Sequence, residues 1–326
     1  MPAPYPKIEL HVHLEATVRP AHLLELARRN GVALPADSVE TLREFCRFSD
    51  FDHFIDVWLA TTQALCTGRD YREMVVGYAV EAAGQGCVYV EGIISPIEAV
   101  LRGASWQEVM GGACDGVQEA RERSGVEVRL TLDTPRILTV DDAIETARWG
   151  IRYRDRGVVA VGLGGDEAEY PPEPFAAAFA VAREGGLGSA PHAGEIAGPA
   201  SVRGALEALQ ADRLRHGVRA VEDAALVEEL AERGIVLDVC PTSNVLTGAV
   251  RSLAEHPLPA LLAAGVWCSI STDDPVLMET DLTRECELAV SLGHTPRGMY
   301  EAGLRGALCD DATKARLGEI AHHYAG

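Results

Sequence analysis

One alternation runs through the chain from end to end. Eight short runs rich in β-branched and apolar residues recur: "KIELHVHL" (7–14), "CVYVEGIIS" (87–95), "VEVRLTLDT" (126–134), "VVAVGLGG" (158–165), "LGSAPHAG" (187–194), "DRLRHGV" (212–218), "IVLDVCP" (235–241) and "WCSISTDD" (267–274). Between them lie Ala- and Glu-rich stretches with helical spacing, such as "SWQEVMGGACDGVQEARERSG" and "VEDAALVEELAERG", several closed by a glycine suited to a helix C-terminus. Strands that alternate with helices pair in parallel. Eight such repeats predict an α/β fold of the closed (β/α)8 type, a TIM barrel, and 326 residues suit that fold with an insertion.

One interval is too long. About seventy residues separate the first two strands, more than a crossover helix needs, which predicts an inserted helical segment over roughly 20–85. Its most aromatic part is "FSDFDHFIDVW" (48–58), where Phe51, Phe54 and Trp58 share one helix face. Such a stripe is ordinary core, or an apolar lid over a flat ligand if it overhangs the barrel mouth. With no linker and no low-complexity tract, residues 1–326 read as a single barrel domain.

Charge narrows the partners. With 49 acidic against 29 basic residues, the formal net charge of -20 repels nucleic-acid phosphates and anionic membranes. No stretch approaches the roughly 18 apolar residues of a spanning helix, and "MPAPYPKIEL" lacks the basic head of a leader. The expectation is a soluble cytoplasmic protein with a small-molecule substrate and no nucleic-acid or membrane partner; its oligomeric state is not written in the sequence. Eight scattered cysteines without a C-x-x-C pair suggest buried thiols rather than disulfides.

Barrels of this kind carry their chemistry at the C-terminal ends of the strands. There the sequence places His11 and His13, then His192 and Glu195, then His216, then Asp273 and Asp274. By strand alternation Glu9, His11 and His13 share a face opposite Ile8, Leu10 and Val12. A lone histidine at a strand end is usually structural. Three imidazoles and a carboxylate converging on one rim instead form the ligand set preferred by a divalent ion such as zinc, one per chain. That ion would lower the pKa of a water toward 7, with Glu195 nearby as general acid and base and His216 free to orient the nucleophile. Asp274 beside Asp273 has a plain alternative as a strand cap.

In order along the chain, "PKIELHVHLE", "VYVEGIISP", "VVAVGLGGDE", "HAGE", "DRLRHGV", "VCPTSNVLTG" and "SISTDDP" make the sequence resemble the adenosine deaminase family of the amidohydrolase superfamily. The resemblance implies that His11, His13, His192 and Asp273 bind zinc. It further implies that Glu195 protonates N1 of a purine while His216 and Asp273 hold the attacking oxygen at C6. Asp274 would meet N7, the Gly165 amide N3, and Glu15 a ribose hydroxyl; His13 would also border the substrate, and Phe54, Ile55 and Trp58 would cover the base. The cysteine-containing H-x-E and P-C-x-x-C deaminase signature does not occur.

Three residues depart from the family pattern: Ala16 and Arg215 where glycine is common, and Ile93 where arginine often stands. Alternation points Arg215 away from His216 into the barrel wall, where a structural salt bridge is expected; at a fraying strand end it would instead meet an anionic substituent of a substrate. The leading expectation is zinc-dependent deamination of adenosine or deoxyadenosine to the inosine product and ammonia. The alternative is a modified nucleoside such as aminodeoxyfutalosine, whose sugar bears a carboxylated aromatic tail. Free adenine ranks lower because "GLGGDE" resembles the nucleoside type. A barrel that has lost catalysis and serves as a binding protein is disfavoured by Glu195 and His216, and a simple ester or amide hydrolase by Asp274 and Gly165.

Overall fold

A computed structural model of the chain describes residues 5–324, with no side-chain description at His323. The first four residues of the N-terminal stretch read for a leader, and the last two of the proposed domain, lie outside the described residues. Apolar β-branched runs bounded by helices give parallel strands buried on both faces. They are β1 (Lys7–His13), β2 (Cys87–Ile94), β3 (Glu127–Pro135), β4 (Val158–Gly164), β5 (Gly188–Ser189), β6 (His192–Ala193), β7 (Arg213–His216), β8 (Val236–Val239) and β9 (Trp267–Ile270). All pairings are parallel, in two sheets ordered β1-β2-β3-β4-β5 and β6-β7-β8-β9.

The fifth run of the sequence is split, because Pro191 has no N–H to give the ladder. Its two halves stay in line: Ala190 N–H donates to Val161 and the Arg215 N–H to Pro191. At the other seam His13 N–H donates to the Asp273 carbonyl (2.8 Å) and Asp273 N–H to the His11 carbonyl (3.0 Å), with a parallel bridge between Val12 and Asp273. The first strand and the segment after the last strand therefore meet at the residues read as ligands.

The insertion is present, in modified form. Helices α1 (Pro20–Asn30), α2 (Val39–Phe45), α3 (Phe51–Thr62) and α4 (Gly68–Gly84) precede β2. Of these α4 packs on β2 and on α6 (Trp106–Ser124), which follows the short α5 (Pro96–Leu101), so it is the barrel's own first crossover and the extra helices are α1–α3. The α4–α6 contact is backbone on backbone: a Cβ at Gly112 would stand 1.9 Å from the Gly68 carbonyl oxygen.

Inside the barrel, charge is stacked in layers. On the floor Arg213 is fully buried between Asp238 (2.6 Å) and Glu91 (2.7 Å). Above it Arg215, equally buried, donates to Asp133 Oδ1 (2.5 Å) and Thr131 Oγ1 (2.7 Å).

Two facing assignments made from alternation are corrected here. In β1 two residues, Leu10 and His11, stand opposite one of β2, a bulge that shifts register between Glu9 and Val12. Ile8 then faces with Tyr89 and His13 with Ile93, whereas Glu9 faces with Val90 on the other side. Glu9 leaves the histidines and accepts from Tyr78 of α4 and from the Thr272 amide (3.0 Å). Arg215 makes the expected salt bridge, but it pairs beside His192 and points inward, not into the wall. His216 reaches the same interior because its backbone is left-handed, φ 60°, which breaks the alternation. No helix among the described residues is long and apolar enough to cross a membrane, and all eight cysteines are unpaired.

Candidate active site

Strand ends and the turns after them position each site residue. His11 and His13 close β1, His192 opens β6 with Glu195 just beyond it, His216 ends β7, and Asp273 and Asp274 follow β9. His216 and Asp273 both hold φ above zero, at 60° and 65°. Non-glycine residues pay on the order of 1–2 kcal/mol for that conformation, and here it aims side chains into the mouth.

The donors converge. His11 Nε2 lies 3.0 Å and His13 Nε2 3.4 Å from Asp273 Oδ1, and His13 Nε2 lies 3.2 Å from His192 Nε2. His192 Nδ1 faces the Leu163 carbonyl at 3.0 Å, which places its proton there and leaves Nε2 bare. His11 Nδ1 faces Cys240 Sγ, while its buried Nε2 has no hydrogen-bond partner despite the nearby carboxylate. Ligand atoms about 2.0–2.1 Å from a tetrahedral zinc stand about 3.3 Å from one another. The observed separations and the orphaned Nε2 fit such an ion. A four-residue grouping of His11, His192, His216 and Asp273 also brings its ligand atoms within 4.8 Å of one another, and overlaps a second one of His13, Asp273 and Asp274.

Burial sets the charge states. It drives His11 down to about 3 and lowers His13 and His192, keeping imidazole lone pairs free. For Asp273 burial, the largest single influence, pushes upward, yet the facing His11, His216 and His13 together outweigh it and hold the carboxyl well below its usual range. Burial raises Glu195 to about 7. Burial and then the neighbouring Asp273 charge push Asp274 well above the carboxylate range, so it holds a proton; its Oδ1 has no partner.

These groups open onto a cavity of about 620 Å³ lined by His13, His192, Glu195, His216, Asp273, Asp274 and Gly165 on the barrel side. Across from them α3 contributes Phe54, Ile55 and Trp58, the last packed edge-on to His13 with centroids 5.2 Å apart. The aromatic stripe is thus both core, at Phe54, and cover. Glu15 does not line the cavity: its Oε1 accepts from the Ser95 amide (2.7 Å), Ser95 does the lining, and Oε2 is unpartnered. Of the departures, Ala16 is buried and its carbonyl accepts from Val276, and Ile93 is wholly buried.

Sequence reasoning missed the supports. Ser243 donates to Asp273 Oδ2 at 2.6 Å. Glu167 accepts from the amides of Gly194, Glu195 and Ile196, at 2.8, 2.8 and 3.1 Å, and so fixes the turn that carries Glu195. Arg136 donates to the His192 carbonyl at 2.6 Å. "GLGGDE" and "VCPTSNVLTG" contained two of the three, without any spacing that pairs them to a target.

The adenosine deaminase family profile matches residues 6–323. The chain is 50% identical over 322 residues, 97% of its length and 90% of the relative's, to an aminodeoxyfutalosine deaminase of Acidothermus cellulolyticus. Among solved structures it resembles an adenine deaminase from Arthrobacter aurescens, with TM-score 0.92, 31% identity and 99% of each chain covered. It also resembles an amidohydrolase from Burkhoderia ambifaria determined with bound Zn, with TM-score 0.87, 28% identity and 98% and 92% covered.

Proposed function

The chain belongs to the adenosine deaminase family, and on that premise we propose that it deaminates an adenine nucleoside with an anionic aromatic extension, aminodeoxyfutalosine, rather than adenosine itself. This reverses the order of the two nucleosides expected from sequence. The observation that carries it is the cavity's outer half. Leu59, Leu101 and Ile137 line it while 48%, 60% and 72% exposed, an apolar rim that a bare nucleoside leaves wet. Beside them Arg102 lines the same mouth; its charge acts on Glu98 of the same cavity, but among the described residues it makes no ion pair within 4.0 Å, which leaves its N–H groups for a substrate carboxylate. The half-identical relative named for that substrate supports the same reading. Adenine, favoured by the likeness to the Arthrobacter enzyme, is the second reading; a free base would leave most of the 620 Å³ unfilled.

His11, His13, His192 and Asp273 would hold a zinc ion, which supplies an acidified water as nucleophile. Glu195, protonated near neutrality, delivers its proton to N1 and makes C6 the better electrophile. His216 and Asp273 hold the attacking oxygen at C6. Asp274 donates its retained proton to N7, the Gly165 amide at φ 103° meets N3, and Phe54, Ile55 and Trp58 exclude water from the base. Glu195, now a carboxylate, takes the O–H proton of the attacking oxygen and passes it to the amine, so that the C6–N bond breaks as C6=O forms and the amine leaves as ammonia.

The test is ammonia release by zinc-loaded protein given aminodeoxyfutalosine, adenosine and adenine in parallel. The expected result is the largest kcat/KM for aminodeoxyfutalosine. Adenine or adenosine turned over as efficiently would overturn the assignment.

A further inference from the structure

Behind His216, away from the cavity, a chain of hydrogen bonds has only one consistent direction. The Leu258 N–H donates to His256 Nδ1 at 3.1 Å. A backbone amide cannot accept, so His256 carries its proton on Nε2. That Nε2 faces Asn244 Oδ1 at 3.2 Å, which must be the amide's oxygen, since its NH₂ would meet a second donor. Asn244 Nδ2 then donates to His216 Nδ1 at 3.0 Å. His216 Nδ1 is an acceptor, and its proton sits on Nε2, pointing between Glu195 Oε2 (3.5 Å) and Asp273 Oδ2 (3.7 Å). Asn244 and His256 are buried and neither lines the cavity.

We infer that Asn244 and His256 are positioning residues, a relay that takes its direction from the Leu258 amide and locks His216 as the Nε2–H tautomer. The consequence for catalysis rests on the deaminase reading above. With Nε2 protonated and Nδ1 occupied, His216 has no lone pair for a metal, which decides between the overlapping groupings: the third imidazole ligand is His13, and His216 is kept as a donor to the attacking oxygen.

The relay's polarity can be inverted from its far end. H256E replaces the donor by an acceptor, so the Asn244 amide turns, its oxygen faces His216 Nδ1, and the proton moves to Nδ1. N244D puts an acceptor there directly. H256Q keeps an N–H donor and preserves the order. The readout is the long-range ¹H–¹⁵N spectrum of imidazole-labelled, zinc-loaded protein together with kcat and KM. In wild type and H256Q the His216 proton is expected on Nε2. In H256E and N244D it is expected on Nδ1, with kcat down on the order of 10²-fold and KM little changed. A wild-type His216 proton on Nδ1, or an inverted tautomer with undiminished kcat, overturns the inference. The spectrum reads the relay even if the assumed substrate is wrong, so the two failures are distinct; should H256E not fold, N244D carries the test.

Discussion

A carboxylic acid in water gives up its proton near pH 4 and is no acid at neutrality. Glu195 differs because burial raises it to about 7, and because Glu167 nails down the backbone on either side of it. Glu195→Gln is expected to retain the metal and lose on the order of 10²-fold or more in kcat, checked by metal analysis and steady-state kinetics. At the mouth, Arg102→Ala should cut kcat/KM for aminodeoxyfutalosine by on the order of tenfold and leave adenosine unaffected; an equal loss on both would remove Arg102 from carboxylate recognition. The polar residues that gather at the cavity were legible in sequence because they sit at strand ends. Ser243, Asn244, His256 and Arg136 were not, because what each one does depends on a partner distant in sequence or in space.

At the scale of elements, the strand and helix sequence follows from hydrophobic period, and it was legible almost throughout. The errors came where the backbone departs from its period: a bulge turned Glu9 outward, and left-handed residues let Arg215 and His216 both point inward. Neither leaves a signal in side-chain pattern, since bulges and positive φ here occur at non-glycine residues. Helix contacts gave a different kind of ambiguity. "GG" at 111–112 reads as weak helix, yet the two glycines are unlike. A Cβ at Gly111 meets nothing within 4 Å, whereas one at Gly112 strikes the Gly68 carbonyl. Gly111→Ala should therefore stabilise by about 0.5–1 kcal/mol, and Gly112→Ala should destabilise by about 1–3 kcal/mol by forcing α4 from α6. Urea unfolding of the pair checks both signs.

For the whole molecule, buried histidines make acid the weak flank. Burial lowers His256 from 6.5 to about 4. As pH falls through 6.5 the unfolded chain takes up a proton that the folded chain refuses until about 4, so stability present above 6.5 is lost across that window. The loss from this one group is at most about 3 kcal/mol. His256→Gln should flatten the fall of the urea midpoint between those values, and an unchanged slope would show that His256 does not contribute. The sequence foretold a barrel but not how its ends are joined. His11 and His13 come from the first strand and Asp273 from the turn after the last, bridged to each other at Val12. During synthesis His11 and His13 are made some 260 residues before Asp273. The proposed ligand set is therefore incomplete until residue 273 has been made, and a product truncated before it, however well its early strands pair, would lack the one carboxylate of that set.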